Sequence, residues 1–557
     1  MKRILALVLS VCLLAGCAAK EQTAEKIPAD RTPAETVALV KDEFREIAYT
    51  SRFDSVTQIT LSDNGISVDG AEETDTVYTS DDIIYYVDRN AYESGNPYGE
   101  GEDWEKHTKA EAERHTVVNI TAPGAYRLSG KLSAGQIRVD LGEDAYDDPD
   151  AVVELILSDA EITCTVAPAI LYLNVYECDG AWSVDTAKST VDTTAAGANL
   201  VLEGENIVTG SHVAKIFKDQ DEEKKLWKQD GAIYSYMSMN VFGPGKLDLT
   251  ADNEGLDTEL HLTINGGEIA IRSDNDGINT NEDGVSVTTI NGGSIHIIAG
   301  LGAEGDGIDS NGYLVINGGT VVSAANPGAD AGLDSDLGSF INGGTVIALG
   351  STMDWTESDS EQVTMNLQFA GSQSSDAAVV VSREDGTVIF GYDPSADEVL
   401  AENSRVYSGA VISSANFHVG ENYHVYVDGE VAGEDAGGVY DPTTVTSYEG
   451  GIPMAYTGTD VRMRPGGFGG GQMPGNMEPP EGIEPGKMEK GDRPEPPEGF
   501  KAGQMEVREP PEDFQPGEMP EGMEFPDGME MNGEAGEPSE EFYMQDKVNF
   551  FSGLTIA

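Results

Sequence analysis

The phrase Ile-Asn-Gly-Gly occurs four times between Leu262 and Ser351, at residues 264–267, 290–293, 316–319 and 341–344. Successive copies lie 26, 26 and 25 residues apart, and a second phrase of Gly, Ile or Leu, and Asp or Asn runs between them. A fixed period of this length is typical of stacked structural repeats. Short alternating runs within each repeat favour strands over helices. The pattern therefore predicts an all-β chain built as a parallel β-helix, a solenoid with several short strands in each coil.

Composition divides the rest of the 557-residue chain. Strand-like runs and a charged, glycine-rich insertion precede the repeats, and a second group of strand-like runs follows them. The last stretch is dominated by Pro, Gly, Met and Glu, which cannot build a core. We predict a signal peptide at 1–16, a tether at 17–35, an N-terminal α/β cap with an insertion at 36–115, the parallel β-helix at 116–355, a small all-β domain at 356–460 and a disordered acidic tail at 461–557.

The N-terminus predicts the cellular location. Two basic residues and an apolar run end in Leu14-Ala15-Gly16-Cys17, which resembles the lipobox of bacterial lipoproteins. That resemblance implies cleavage before Cys17 and lipid on its thiol, hence a protein held at the extracellular face of the cell membrane. The alternative is an ordinary secretory signal peptide in which the cysteine is incidental. The net charge of −66 makes nucleic acid a poor partner and leaves the lipid anchor as the only expected membrane contact.

Two cysteines remain after Cys12 leaves with the signal peptide and Cys17 is lipidated. Cys164 and Cys178 can pair in an oxidising extracellular setting, or can stay as two thiols buried in the stack. The sequence leaves both alternatives open.

The second phrase of each repeat predicts columns of oxygen-bearing side chains. If its apolar residues (Leu256, Ile278, Ile308 and Leu333) point inward, the next residues point outward, because side chains alternate along a strand. Stacked carboxylates about 4.8 Å apart repel by roughly 1 kcal/mol per pair even in water, so a hard cation such as Ca²⁺ is expected between them. The alternative is that Asp and Asn beside Gly merely form tight corners. The candidate metal ligands are Asp257, Asp274, Asp276, Asn279, Asp283, Glu304, Asp306, Asp309, Asp334 and Asp336.

The asparagines of the first phrase are interpreted as structural. Stacked amides form hydrogen-bonded ladders along a solenoid, so we expect one through Asn265, Asn291, Asn317 and Asn342.

Catalytic groupings are scarce in the sequence. No Ser-His-Asp grouping is evident, and His261 and His296 stand isolated on strands, where a surface position is expected. Arg272 is the one arginine within the regular coils. A polysaccharide lyase needs such a base near calcium. The preferred interpretation is that Arg272 forms ion pairs with the acidic side chains of the repeats. We therefore expect no enzyme and no catalytic residues.

The segments Glu154 to Val175 and Gly231 to Asp257, together with the four Ile-Asn-Gly-Gly coils, resemble the family of carbohydrate-binding domain-containing proteins of Gram-positive bacteria. The resemblance covers roughly Thr116 to Ser351. It implies a right-handed parallel β-helix similar to polysaccharide lyases, bound calcium, and binding of acidic or cellulosic plant polysaccharide without known cleavage. The coils hold few aromatic residues for stacking on sugars. The candidate ligand-binding residues are Tyr234, Tyr236, Arg272, Tyr313 and Trp355.

Three functions follow as hypotheses. The first is a lipid-anchored surface protein that binds plant-type or other acidic polysaccharide through a calcium-stabilised β-helix. The second is a calcium-dependent, pectate-like lyase on the same scaffold, and the third is a structural surface protein or adhesin with no sugar ligand.

Overall fold

Each Ile-Asn-Gly-Gly repeat contributes three short strands, and the strands of successive repeats stack in parallel. A computed structural model describes residues 38–41, 47–86, 107–180, 184–217, 225–351, 354, 356–403, 405–459 and 537–557. By backbone contacts the chain divides into residues 1–39 and residues 40–557. All the strands that the structure describes lie in the second of these units, which is nearly all-β with long parallel sheets, as the sequence predicts.

The first ladder is a nine-stranded sheet in which only the outermost pair is antiparallel. Its strands are Val77–Ser80, Thr116–Ile120, Gly135–Asp140, Ile170–Asn174, Gly231–Ser235, Glu254–Thr258, Ile278–Thr280, Ile308–Ser310 and Leu333–Ser335.

The second ladder is parallel along its whole length. Its strands are Val56–Leu61, Gly124–Leu132, Val153–Thr163, Ala198–Glu203, Met239–Phe242, Leu262–Ile264, Val287–Ile290, Tyr313–Ile316 and Gly338–Ile341.

The third ladder is parallel too and begins on the far half of the long strand Val153–Thr163. Its further strands are Glu205–Gly210, Lys246–Ala251, Glu268–Ser273, Ser294–Ile298, Thr320–Ala324 and Thr345–Gly350.

Smaller elements flank the ladders. Ser67–Val68 pairs with the first strand of the second ladder, and Val213–Phe217 pairs with Lys225–Gln229 as an antiparallel pair. A short helix, Lys109–Ala112, lies in the region predicted as the α/β cap and insertion. Single 3-10 turns lie at Glu143–Asp147, Val184–Thr186 and Pro394–Ala396.

The strands after the repeats continue from the third ladder. Thr345–Gly350 pairs antiparallel with Tyr407–Ser413, which pairs with Thr364–Gln373. The other strands are Val379–Arg383, Val388–Tyr392, Asn422–Val427, Glu430–Ala432, Asp435–Ala436, Val439–Tyr440, Ser447–Glu449, Ile452–Ala455, Phe542–Tyr543 and Val548–Ile556.

Two predicted boundaries are corrected by this pairing. Val56–Leu61 already pairs in parallel with residues 125–130, so the stack begins before residue 116. Val548–Ile556 pairs in parallel with Thr364–Gln373, so the predicted disordered tail is wrong over its last residues. Phe551 and Leu554 there are buried and supply the apolar surface that a strand needs. The remainder of the tail, 461–536, lies outside the described residues, as do the predicted signal peptide and tether.

One apolar core runs between the ladders from Ile59 to Val411. The four apolar residues predicted to point inward are 0–3% exposed, which confirms that prediction. The second glycine of each Ile-Asn-Gly-Gly phrase has a positive φ, for example +96° at Gly293, which only glycine adopts readily. At Gly277 a Cβ would lie 2.6 Å from the carbonyl oxygen of Gly307 on the next coil. The glycines therefore permit both the corner and the close stacking of coils.

Candidate functional site

The residue after each inward apolar side chain falls in register along the first ladder. Asp257 pairs with Asn279, Asn279 with Asp309, and Asp309 with Asp334. This is the column that the sequence predicts. Its burial differs from the expectation, because Asp257 and Asn279 are 0% and 4% exposed.

A second column of acids lies two residues before the inward side chains. The amide of Gly255 donates to the carbonyl of Asp276 at 3.0 Å, and the amide of Gly277 donates to the carbonyl of Asp306 at 3.0 Å. Glu254, Asp276 and Asp306 therefore follow one another on successive coils. The backbone N–H of Asp306 donates to Asp276 Oδ1 at 2.7 Å. We call the two columns together the acid columns: Glu254, Asp257, Asp276, Asn279, Asp306, Asp309 and Asp334.

The acids of these columns oppose one another's ionisation. Burial raises the pKa of Asp276 well above its ordinary value, and the nearby charges of Glu254, Asp309 and Asp306 raise it further. Burial likewise raises the pKa of Asp306 to about 8, with Asp334 adding to the shift and the backbone N–H of Ala331 opposing it. A positive charge at the acid columns would relieve this repulsion.

The side chains of Glu254 and Asn279 are joined by a hydrogen bond within the acid columns. The amide nitrogen of Asn279 donates to Glu254 Oε1 at 3.0 Å and to Asn281 Oδ1 at 3.4 Å. Within the described part of the chain, Glu254 Oε2 and Asn279 Oδ1 are buried and receive no hydrogen bond. Leaving a buried oxygen unsatisfied costs about 1–3 kcal/mol, and more for a charged group.

The donor set of the acid columns fits a hard cation. It consists of carboxylate and amide oxygens, the ligands that Ca²⁺ prefers, and among the described residues Glu254 Oε2 and Asn279 Oδ1 receive no hydrogen bond. The acids are stacked along the ladder and do not converge on one point. Across the described ranges, no three His, Cys, Asp or Glu side chains are gathered closely enough to hold a metal ion by themselves. A cation here would therefore draw on Asn279 and on oxygens of adjacent coils.

Four predicted ligands lie apart from this arrangement. Asp274, Asp283, Glu304 and Asp336 are exposed on the turns between strands. Neighbouring atoms still shield the Asp274 carboxyl partly from water, and this desolvation raises its pKa, with Asp252 adding to the shift and the guanidinium of Arg405 opposing it. Asp274 therefore interacts with a different set of charges from Asp276.

The aromatic candidates separate in the same way. Tyr234 is 0% exposed and its hydroxyl donates to Glu259, so the prediction that it stacks on a sugar is wrong. Tyr236 is half-buried and packs edge-on against it, with centroids 5.1 Å apart. Tyr313 is half-buried on the second ladder, 6.1 Å from the ring of half-buried Phe340. Trp355 lies outside the described residues.

Arg272 is engaged in an ion pair. Its Nη1 lies 2.7 Å from Asp248 Oδ1 on the preceding coil of the third ladder, and 23% of its side chain is exposed. This geometry agrees with the charge-partner interpretation.

The two histidines expected at the surface are buried, which corrects that expectation. His261 is 1% exposed, and burial lowers its pKa. His296 is 7% exposed and lies between Ser294 and Asp397. Asp397 is 101 residues from His296 in the sequence, so no local motif joins them. The alternation that puts Ser294 and His296 on one face was the only available indication.

The structure describes Cys164 and Cys178. Cys164 and Cys178 are both free thiols, and burial raises the pKa of each to about 12. Cys17, the predicted lipidation site, lies outside the described residues. Over the part of the chain that the structure describes, no helix has the length and apolar character needed to cross a bilayer.

Comparison with known proteins gives three findings. The sequence profile of a family described as carbohydrate-binding domain-containing protein matches residues 114–416, more than half of the chain. A carbohydrate-binding domain-containing protein of Acetivibrio thermocellus is 30% identical over 157 residues, which are 28% of this chain and 45% of that protein. The chain therefore matches less than half the length of this relative. A solved polysaccharide lyase-like protein from C. thermocellum, a gadolinium derivative, is 21% identical, with 52% of this chain and 93% of that chain covered and a TM-score of 0.30.

Proposed function

The chain belongs to the family of carbohydrate-binding domain-containing proteins, and from this premise we propose that it is a lipid-anchored surface protein that binds polysaccharide through a calcium-stabilised β-helix. The family match carries the proposal, because residues 114–416 include most of the stacked strands of all three ladders. We further propose that binding occurs without cleavage of the polysaccharide chain.

The closed coil is part of the proposal. Within each repeat the chain passes from the first ladder to the second, then to the third, and back to the first on the next coil. Crossovers between parallel strands of one sheet are almost always right-handed, which favours a right-handed β-helix.

The acid columns would hold the cation. Glu254 Oε2 and Asn279 Oδ1 are the first ligands, because both are buried and neither receives a hydrogen bond from the part of the chain that the structure describes. Asp276 and Asp306 adjoin them on the following coils. Bound calcium would supply positive charge that an acidic polysaccharide could approach. Without it, an acidic sugar polymer would meet acidic side chains of like charge.

The sugar-stacking surface is proposed at Tyr313 and Phe340. The two rings lie side by side on the second ladder and are only half-buried, so part of each is open to a pyranose face. Tyr236 is the second candidate, because its ring is half-buried, whereas Tyr234, against which it packs, is fully buried.

A glycan array tests the proposed function. The full chain is applied with calcium and with EDTA, and we expect binding to acidic plant polysaccharide that EDTA abolishes. Bound polymer is then incubated and followed for the ultraviolet absorbance of unsaturated uronides, which we expect to stay at baseline. Absence of binding to every glycan in both conditions would refute polysaccharide binding. Products that depend on Arg272 would show that the chain is a lyase.

A further inference from the structure

Ser294, His296 and Asp397 are joined by two hydrogen bonds through one imidazole. Ser294 Oγ lies 3.1 Å from His296 Nε2, and His296 Nδ1 lies 2.7 Å from Asp397 Oδ2. Because a carboxylate oxygen can only accept, the hydrogen-bond partners assign a proton to Nδ1 and leave Nε2 as the acceptor for the serine. The serine hydroxyl therefore donates to a nitrogen that can take its proton.

The fold supplies the two halves of this cluster separately. Ser294 and His296 are two residues apart on a third-ladder strand, so their side chains share a face. Asp397 follows the 3-10 turn Pro394–Ala396 in the strands after the repeats and is 1% exposed. Its position depends on neither the acid columns nor the aromatic pair of Tyr313 and Phe340.

Asp397 is held rigidly on both of its oxygens. Its Oδ1 accepts from the backbone N–H groups of Val399 at 2.8 Å and Leu400 at 3.3 Å, and its Oδ2 also accepts from the hydroxyl of Tyr392 at 3.3 Å. These bonds fix the carboxylate against the imidazole, as an acid that orients a general base must be fixed. If the cluster served only to hold the two segments together, the His296–Asp397 hydrogen bond would suffice. The hydrogen bond between His296 and Ser294 would then have no role.

The surroundings leave the serine accessible and hold the imidazole. Ser294 is half-exposed and lies between Glu268 and Thr320 on the neighbouring coils. The backbone of Gly437 lies against the ring, and a Cβ there would come within 2.4 Å of His296 Cε1. The ring is therefore confined on the side that faces the later strands.

Another cluster of the same residue types lacks this relay. Ser211 Oγ donates to Asp252 Oδ2 at 2.6 Å, and His212 Nδ1 lies 2.9 Å from Asp252 Oδ1. There the hydroxyl binds the acid and not the imidazole, so the imidazole does not receive the serine proton. Of these two clusters, the Ser294 cluster is the one in which the imidazole lies between the serine hydroxyl and the carboxylate.

We propose that Ser294, His296 and Asp397 form a nucleophilic site that hydrolyses carboxylic esters, with O-acyl groups on a polysaccharide as the substrate class. Ser294 is the nucleophile, His296 the general base, and Asp397 a positioning residue. Only the identity of the alcohol as a sugar rests on the proposed function. The site removes a substituent and leaves the glycosidic chain intact.

The reaction balances with water as the only co-reactant. Ser294 Oγ attacks the acyl carbon while its proton passes to His296 Nε2. The bond from the acyl carbon to the sugar oxygen then breaks, and Nε2 returns the proton to that oxygen. Water attacks the acyl-serine, His296 takes one of its protons and gives it to Ser294 Oγ, and a carboxylic acid is released.

Covalent labelling and ester hydrolysis test the site on the full chain. A fluorophosphonate probe should label Ser294 of the wild type, as located by peptide mass spectrometry, and p-nitrophenyl acetate should be hydrolysed above background. Ser294→Ala should lower that rate by at least about a hundredfold, the scale of general-base catalysis. Thr320→Ala is the matched control, because Thr320 occupies the position of Ser294 on the next coil. The position of His296 is taken there by Val322, which cannot act as a base. This variant should keep both the label and the rate.

Asp397 is tested by a readout that a structural role would not change. In Asp397→Asn the label and the rate should be lost while urea unfolding still shows a folded chain, an outcome that loss of a purely structural hydrogen bond would not produce. If that variant does not fold, labelling of the wild type still decides. An unlabelled Ser294, with equal hydrolysis by wild type and Ser294→Ala, overturns the proposal. Ester hydrolysis with no glycan bound on the array would uphold the ester site and refute the sugar ester as its substrate.

Discussion

Asn279 donates its side-chain amide to Glu254 Oε1 at 3.0 Å, while Asn279 Oδ1 and Glu254 Oε2 are both buried and receive no hydrogen bond within the described residues. One hydrogen bond thus joins two oxygen-bearing side chains of adjacent coils. Asn279 Oδ1 and Glu254 Oε2 remain available to a cation. Since a buried carboxylate oxygen without a partner is costly, the pair is the best starting point for a cation site.

The first prediction is that calcium stabilises the stack at this pair. An ion that binds only the folded chain stabilises it by about 2.7 kcal/mol when the free ion is a hundredfold above its Kd. We expect EDTA to lower the melting temperature, and Ca²⁺ to restore it better than Mg²⁺, which demands six tight ligands and keeps its water. Differential scanning calorimetry of protein shown to be metal-free measures this.

Glu254→Gln should abolish most of that calcium response, because it removes one charge from the pair at nearly constant shape. Glu402→Gln is the control, since Glu402 is exposed and lies outside the ladders. Equal melting temperatures with and without calcium in the wild type would leave only the turn-forming interpretation of the acids.

The second prediction concerns pH and Asp306. Its pKa is about 8 in the folded chain, against an ordinary value of 3.8, so the folded state binds the proton more tightly than the unfolded state does. Protonation therefore favours folding, and the contribution of Asp306 to the stability of the metal-free protein should fall as pH rises from about 4 to about 8, then level off. Each unit of pKa difference corresponds to about 1.4 kcal/mol, so the decline is on the order of a few kcal/mol.

Urea unfolding in chelator across this pH range measures the decline. Asp306→Asn should match the wild type near pH 4 and exceed its free energy of unfolding near pH 8, because the amide stays neutral. Glu402→Gln should follow the wild-type curve throughout. If the wild type and Asp306→Asn run parallel over the whole range, the raised pKa of Asp306 is refuted.

The sequence predicted the elements that the repeat period fixes. Leu256 and Ile278 point inward, and Asp257 and Asn279 fall in register, because alternation and a constant offset decide both. Burial of that column was missed, since periodicity says which face a side chain occupies but not how accessible that face is.

Contacts that depend on chain segments far apart were also missed. His296 meets Asp397 across 101 residues, and Val548–Ile556 pairs with Thr364–Gln373 across a stretch whose composition favours disorder. No local pattern encodes such meetings, because they arise from how the strands after the repeats return to the stack.

The third prediction concerns membrane attachment. Cys17→Ala should release the protein from the membrane fraction without changing its melting temperature, because lipid attachment requires that thiol. Fractionation followed by immunoblotting measures the change. Cys12→Ala is the matched control, since Cys12 lies in the predicted signal peptide and should leave attachment intact. A Cys17→Ala protein that still sediments with membranes would refute the lipobox interpretation.

The fourth prediction concerns the aromatic surface. Tyr313→Ala should weaken binding of the polysaccharide found on the array by about fivefold, because one half-buried ring offers roughly 1 kcal/mol of stacking. Tyr234→Phe is the comparison: it removes a hydroxyl that donates to Glu259 inside the protein, so it should leave affinity unchanged. Isothermal titration calorimetry distinguishes the two. Equal affinities for Tyr313→Ala and the wild type would place the sugar elsewhere.

The last prediction tests the asparagine ladder, which the structure confirms. The side-chain amides of Asn291, Asn317 and Asn342 each donate to the asparagine oxygen on the preceding coil, at 3.0, 2.9 and 2.9 Å. Asn317→Ala breaks two of these bonds and leaves a donor and an acceptor without partners, so it should lower the free energy of unfolding by about 1–3 kcal/mol. Urea unfolding measures the loss, and exposed Asn403→Ala, outside the ladders, should be nearly neutral. Equal stability of the two variants would mean that close stacking of the glycine corners, and not the amides, holds this edge of the coils together.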